Sequence, residues 1–172
     1  VWGVRAGHSG AVRLLRTGQT TSYQAGDDGA YRSGAPWPQP RFIVNGNGTI
    51  TDRLTGLMWE QSPFNSAIGS WGSAFDRINT LNTTKLGGYS DWRMPNMNEL
   101  CSLMNHGQSI VYLWLLSQGF NNLANNRAYW SSSTDGKDTV ESWVKSSNDG
   151  NIGSPQDKIT NSFYVIAVRG GL

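Results

Sequence analysis

The sequence predicts an α+β domain in which early and late strands share one sheet. Three observations predict it: a turn-rich opening from Arg41, two apolar stripes at helical spacing, and a closing strand that is apolar on both sides.

The opening, RFIVNGNGTITDRLTGLMWEQ, reads as strand, turn, strand, turn, strand. NGNG is a strong reversal signal, and Ile50, Leu54, Leu57 and Trp59 supply apolar positions beside further turn residues. In SWGSAFDRINTLN the residues Trp71, Phe75, Ile78 and Leu81 recur on one helical face, with Ser70 as N-cap, which predicts a helix near 70–82. GGYSDWRMPN ends it. Asn96 with Glu99 three residues on has the spacing of a capping box. Met97, Leu100, Leu103 and Met104 then form the buried stripe of a second helix near 96–105, and residues 108–120 have room for a short third helix ending at Gly119. RAYWSSST, TVESWVKSSNDG and NSFYVIAVRG read as strands. In the last of these Phe163, Val165 and Ala167 alternate with Tyr164, Ile166 and Val168. A strand apolar on both faces belongs in the middle of a sheet.

Residues 41–172 are the expected domain. Residues 8–40, rich in Gly, Ser and Pro, read as an irregular connector laid over its surface and anchored by Tyr23, Tyr31 and Trp37. Residues 1–7 are a near-copy of the closing strand, with Val4-Arg5-Ala6-Gly7 matching Val168-Arg169-Gly170-Gly171. That stretch is expected to be the tail of a preceding repeat. It would either dock on its own domain or join sister copies through Val1 to Gly7, since an isolated strand leaves its backbone groups unpaired.

Composition narrows the function. Charged residues make up 15% of the chain, the net charge is +2 and the basic residues are scattered singly. Nucleic acid would require a basic cluster or stripe, so no nucleic-acid partner is expected. IVYLWLL is too short to cross a bilayer, so no membrane insertion is expected. The single cysteine, Cys101, reads as a buried structural thiol and permits no internal disulfide.

No catalytic set is legible. His8 lies in the connector and His106 in an NHGQ loop, both readable as solvated turn residues. Glu60, Glu99 and Glu141 would have to pair for glycoside hydrolysis, and Glu99 already has a capping role. The chain is therefore expected not to be an enzyme and to need no cofactor or metal. NGNGTITD up to Asp52, and Asp27 with Asp28, space oxygen ligands as a calcium loop does, but turn chemistry explains the same residues. In SDWRMPN, a buried Trp92 flanked by Asp91 and Arg93 reads as a structural corner or as a group facing a ligand. Residues 127–153 combine rigid aromatic area with amides and few charges, the composition that stacks on and hydrogen-bonds to neutral polar ligands. Tyr129, Trp130, Trp143, Lys145, Asn148, Asp149 and Asn151 are the candidate binding residues; the alternative is a core Trp with polar turns.

NGNGTITDRLTGLMWE, AFDRINTLNTTKLGGYSDWRMPNMNELCSLM, YWSSST and FYVIAVRGG, in that order, resemble the Lcl C-terminal domain family across residues 41–171. TGQTTSYQAGDDG followed by WPQPRF is similar to the lead-in of such domains. The resemblance implies a C-type-lectin-like fold, with two helices on a twisted antiparallel sheet and a loop-rich second sheet presenting the ligand surface. It also implies a secreted or cell-surface protein of a bacterium or phage that recognises a glycan or surface protein. The alternative is a structural subunit or repeat of an extracellular fibre or oligomer, assembled through sister-copy contacts. Many members carry a cysteine in the first helix and another in the last strand; the matching positions here are Ile78 and Ala167. The glycosaminoglycan binding of the adhesin that names the family would want a basic patch, and none is visible. Formylglycine-generating enzymes have a related fold, but their chemistry needs paired cysteines.

Overall fold

The computed structural model describes residues 14–63, 66–123, 127–147 and 153–170. In chain order these form α1 (Asp28–Tyr31), β1 (Phe42–Val44), β2 (Thr49–Asp52), β3 (Met58–Glu60), α2 (Trp71–Thr84), α3 (Met97–Ser102), α4 (Val111–Ser117), β4 (Ala128–Thr134), β5 (Glu141–Ser146), β6 (Gln156–Asp157) and β7 (Val168–Arg169). The fold is α+β. One antiparallel sheet has the order β1-β2-β3-β7 and the other β4-β5-β6.

The first sheet begins where the sequence placed its reversal. Phe42 pairs with Asp52 and Val44 with Ile50 around Asn45–Gly48, and Gly46 and Gly48 take φ of 76° and 83°, values that L side chains rarely adopt. Asn45 donates to the Thr49 and Thr51 hydroxyls, while the Asn47 carbonyl accepts from Thr49 Oγ1. Turn chemistry therefore occupies the asparagine oxygens of that loop.

α2 starts at its Ser70 cap, whose hydroxyl accepts from the Ser73 N–H, and runs two residues past the expected end. Its buried stripe is Ala74, Ile78 and Leu81. Phe75 was expected in that stripe but is 36% exposed: it sits one residue, about 100°, round the helix from Ala74. There it meets the Trp71 ring edge-on at 4.5 Å. α3 ends earlier than expected, and Leu103 and Met104 are buried just beyond it. Its capping box is complete: the Glu99 N–H donates to Asn96 Oδ1 at 2.9 Å and the Asn96 N–H to Glu99 Oε2 at 2.8 Å. Replacing Asn96 with alanine is expected to lower stability by about 1 kcal/mol, read from urea unfolding followed by circular dichroism. The short third helix is α4, and Gly119 follows it with φ of 101°.

The closing strand explains the architecture. Near Tyr164 it lies beside β4, with the Trp130 N–H donating to the Tyr164 carbonyl and the Tyr164 N–H to the Ala128 carbonyl. Four residues on, Val168 pairs with Trp59 of β3 and bridges to Arg93 on its other side. The segment thus joins the two sheets. Its alternating side chains enter two cores: Val165 and Ala167 pack with Ile78, Trp92, Trp130 and Val144, whereas Ile166 and Val168 pack with Ile50, Trp59, Leu100 and Phe120. All four are at most 3% exposed, so both apolar faces are buried as the sequence requires. Glu60 accompanies this crossing, accepting from the Ala167 N–H and pairing with Arg77 of α2. Burial raises its carboxyl pKa, with Arg77 opposing.

Residues 14–40 lie against this domain. Leu15 bridges to Ala35, and the Trp37 indole donates to the Arg16 carbonyl at 3.1 Å. The Trp37 ring lies 5.5 Å from that of Trp114 on α4. Arg41, itself buried, stands 4.5 Å over Trp37 and makes a two-pronged bond to buried Asp52. Trp37 is therefore an anchor of the connector. Tyr23 and Tyr31, expected to anchor it too, are 81% and 73% exposed. They project from a segment held by backbone bonds and by Trp37, which leaves their rings nothing to pack on. Residues 1–7, with the strand expected there, lie outside the described residues.

Candidate functional site

The seven residues singled out between 129 and 151 do not form an exposed platform. Asn148, Asp149 and Asn151 lie outside the described residues. Trp130 is fully buried, its ring meeting Phe163 edge-on at 4.9 Å. Tyr129 and Lys145 are also buried and line a crevice with Leu100, Leu123 and Ile166. That crevice holds about 20 Å³, room for a single water and not for a sugar ring. Burial pushes the pKa of the Tyr129 phenol up from its ordinary value. Trp143 alone is half-buried. Their burial has a structural cause: β4 runs between the two cores, so Tyr129 enters one and Trp130 the other.

The SDWRMPN corner is structural. Trp92 is buried and its indole donates to the Leu86 carbonyl. Arg93 grips Glu99 with two bonds of 2.8 and 2.6 Å and reaches the Gly170 carbonyl, tying α3 to the end of β7. Asp91 holds Arg169, whose guanidinium lies 3.7 Å from the centre of the Tyr89 ring. The Arg169 hydrogen bond lowers the Asp91 pKa. Cys101 is half-buried, more open than expected, and unpaired. Among the described residues no group of three or more His, Cys, Asp or Glu side chains could hold a metal ion. The Asp52 carboxylate, proposed as an end of a calcium loop, instead accepts from Arg41, the Leu54 N–H and the Thr55 hydroxyl.

Open concave surface occurs where residues 15–39 cross the loop after α3. The His106 N–H donates to the Thr17 carbonyl at 2.8 Å. Gly107 is obligatory at that crossing: a β-carbon there would stand 2.5 Å from the Gly18 carbonyl oxygen. Three grooves of about 170, 240 and 250 Å³ surround the crossing. Their walls include Arg16, Gln19, Thr21, Tyr23, His106 and Gln108. The residues are legible in TGQTTSY and NHGQS as neutral, turn-rich stretches, but nothing local tells that the two meet.

Asp27 shapes the Tyr23 wall. Its carboxylate accepts from the N–H groups of Tyr23, Gln24 and Ala30, the last as the N-cap of α1. Those bonds, chiefly from Tyr23 and then Ala30, lower its pKa from an ordinary 3.8 to about 2. A depressed carboxyl stabilises the fold above the unfolded value, and the contribution is lost as pH falls through the folded value. The turn is therefore expected to be intact above pH 3.8 and to open as pH falls through about 2. Amide exchange at Tyr23 and Ala30 against pH reads this directly. In Asp27→Ala the two amides should exchange fast throughout, with no acid transition of their own.

Two antiparallel sheets joined by one doubly buried strand, with a capped helix pair and an ion-paired WRMPN corner, define an α+β module. The sequence model of the Lcl C-terminal domain matches residues 48–169, and the chain belongs to that family. No curated protein matches the chain.

Proposed function

We propose that this is a C-type-lectin-like recognition domain, secreted or displayed on a bacterial or phage surface. It binds a glycan or a surface protein without transforming it. The observation that carries this reading is how most of the carboxylates are engaged, Asp76 and Glu141 being the exceptions among the described residues. Asp52, Glu60, Asp91 and Glu99 each pair with an arginine, and Asp27 and Asp157 hold turn N–H groups. Acid–base chemistry requires such groups free and within reach of a substrate. The groove walled by Gln19, Thr21, Tyr23 and Gln108 instead carries amides, a hydroxyl and an exposed tyrosine, the groups that recognise neutral polar ligands. Screening the whole chain on a glycan array tests this. Hits that compete with free sugar are expected; no hit at millimolar ligand, with polymers growing as concentration rises, would replace the reading with the structural one.

That second reading, assembly with sister copies, has its own observation. β1 is an edge strand, and Ile43 and Val44 on it are 39% and 47% exposed. An apolar edge is a template for another strand. Residues 1–7 are the segment that would supply it. Deleting them and weighing the particle in solution separates the readings: an unchanged mass and melting temperature removes their role in assembly.

A further inference from the structure

The three grooves around residues 16–21 adjoin pairwise: Arg16 walls two of them, Gln19 two, and His106 two. Each is below the roughly 300 Å³ at which pockets for drug-sized ligands begin, so each suits one ring of a longer molecule. No carboxylate is among their described lining residues. The guanidinium groups at the crossing are engaged by backbone carbonyls: Arg16 Nε donates to the Gly34 carbonyl, and Arg32 donates to the Gly29 and Thr20 carbonyls. These cations hold the curve of the segment. The side chains of Gln19, Thr21, Gln108 and Ser109 make no hydrogen bond among the described residues, and Tyr23 beside them is 81% exposed. Free amide and hydroxyl groups next to an open aromatic face match a polyol that both donates and accepts hydrogen bonds and offers a C–H face for stacking.

We propose that this crossing is the binding site for an extended, neutral oligosaccharide, with Tyr23 as the stacking platform and Gln19, His106 and Gln108 as its polar contacts. The proposal rests on the recognition reading above and names the ligand class and place for it. The site is composite. Residues 98–109 supply one wall and residues 15–39 the other, and the second wall lies outside the stretch that defines the family. Ligand choice is thereby set by the lead-in segment, on a core that the family shares.

Nuclear magnetic resonance titration of the whole chain tests this, using cellohexaose, chitohexaose, maltohexaose and a heparin hexasaccharide as probes. A neutral hexasaccharide should shift the amides of Gln19, Tyr23 and His106 through Ser109. Tyr23→Ala should weaken its binding about tenfold, the upper end for one aromatic contact. Gly107→Ala, which pushes the two walls apart, should weaken it too, while Trp143→Ala should leave it unchanged. Neutral binding that survives both Tyr23→Ala and Gly107→Ala, or shifts confined to residues 127–147, would overturn the site and leave the recognition reading standing. Binding of the heparin fragment alone would overturn the ligand class. No shift with any probe would overturn the proposal and the glycan half of the reading together.

Discussion

Trp130→Ala should destabilise the domain by roughly 3–5 kcal/mol, the range for removing a fully buried large aromatic. The ring is fully buried in the core that also holds Ile78, Trp92, Val144, Val165 and Ala167, and it packs edge-on against Phe163. That core surrounds one face of the closing strand, so a cavity there removes support from the segment joining the sheets. For a chain of this size the loss corresponds to a fall in melting temperature of roughly 6–20 °C, read by calorimetry. Trp143→Ala, at a half-buried position, should cost within about 1 kcal/mol. The pair distinguishes a core residue from a contact residue. Unchanged stability in Trp130→Ala, with altered ligand binding, would return Trp130 to the binding surface.

Asp52→Ala should be comparably severe. Its side chain is fully buried and Arg41 is 2% exposed, so removing the carboxylate leaves a guanidinium buried without its counter-charge. Breaking one half of a buried pair typically costs about 3–5 kcal/mol. The double variant Arg41→Met with Asp52→Leu should recover only part of this. Removing both charges relieves the unpaired cation, but the Leu54 N–H and Thr55 hydroxyl still lose their acceptor. The effect should also spread to the oligosaccharide site. Arg41 lies over Trp37, and Trp37 holds Arg16 through its carbonyl, so Asp52→Ala should loosen the crossing before the domain unfolds. Urea unfolding of the single and double variants, with the Trp37 contribution taken as the fluorescence difference between each variant and the same variant carrying Trp37→Phe, measures both.

The exposed ion pairs belong to a different class. Arg169–Asp91 has a carboxylate that is 59% exposed, and pairs of that kind contribute about 0–1 kcal/mol. The position of Arg169 over Tyr89 marks where the chain turns out of the core; it does not hold the core together.

Short-range chemistry was legible in the sequence alone. The reversal at Asn45–Gly48, the Ser70 cap and the Asn96–Glu99 box involve partners two to four residues apart, so the residues that cause each structure are next to it in the chain. The doubly apolar closing strand was legible for a related reason: alternation with a period of two states how many faces must be covered, without stating by what. Tertiary structure decided the rest. Tyr129 and Trp130 read equally well as a stacking surface or as core, and the choice depends on β4 lying between two cores whose other walls come from residues 42–123, Val144 and residues 163–168. Tyr23, Tyr31 and Phe75 were the reverse case, aromatic residues at positions that no second element covers. The Arg41–Asp52 pair and the meeting of residues 16–21 with 105–109 join parts of the chain with no local signal of each other. A sequence fixes what each segment can do with its neighbours; burial is a property of the space between segments, and that space exists only once the sheets, helices and lead-in have packed.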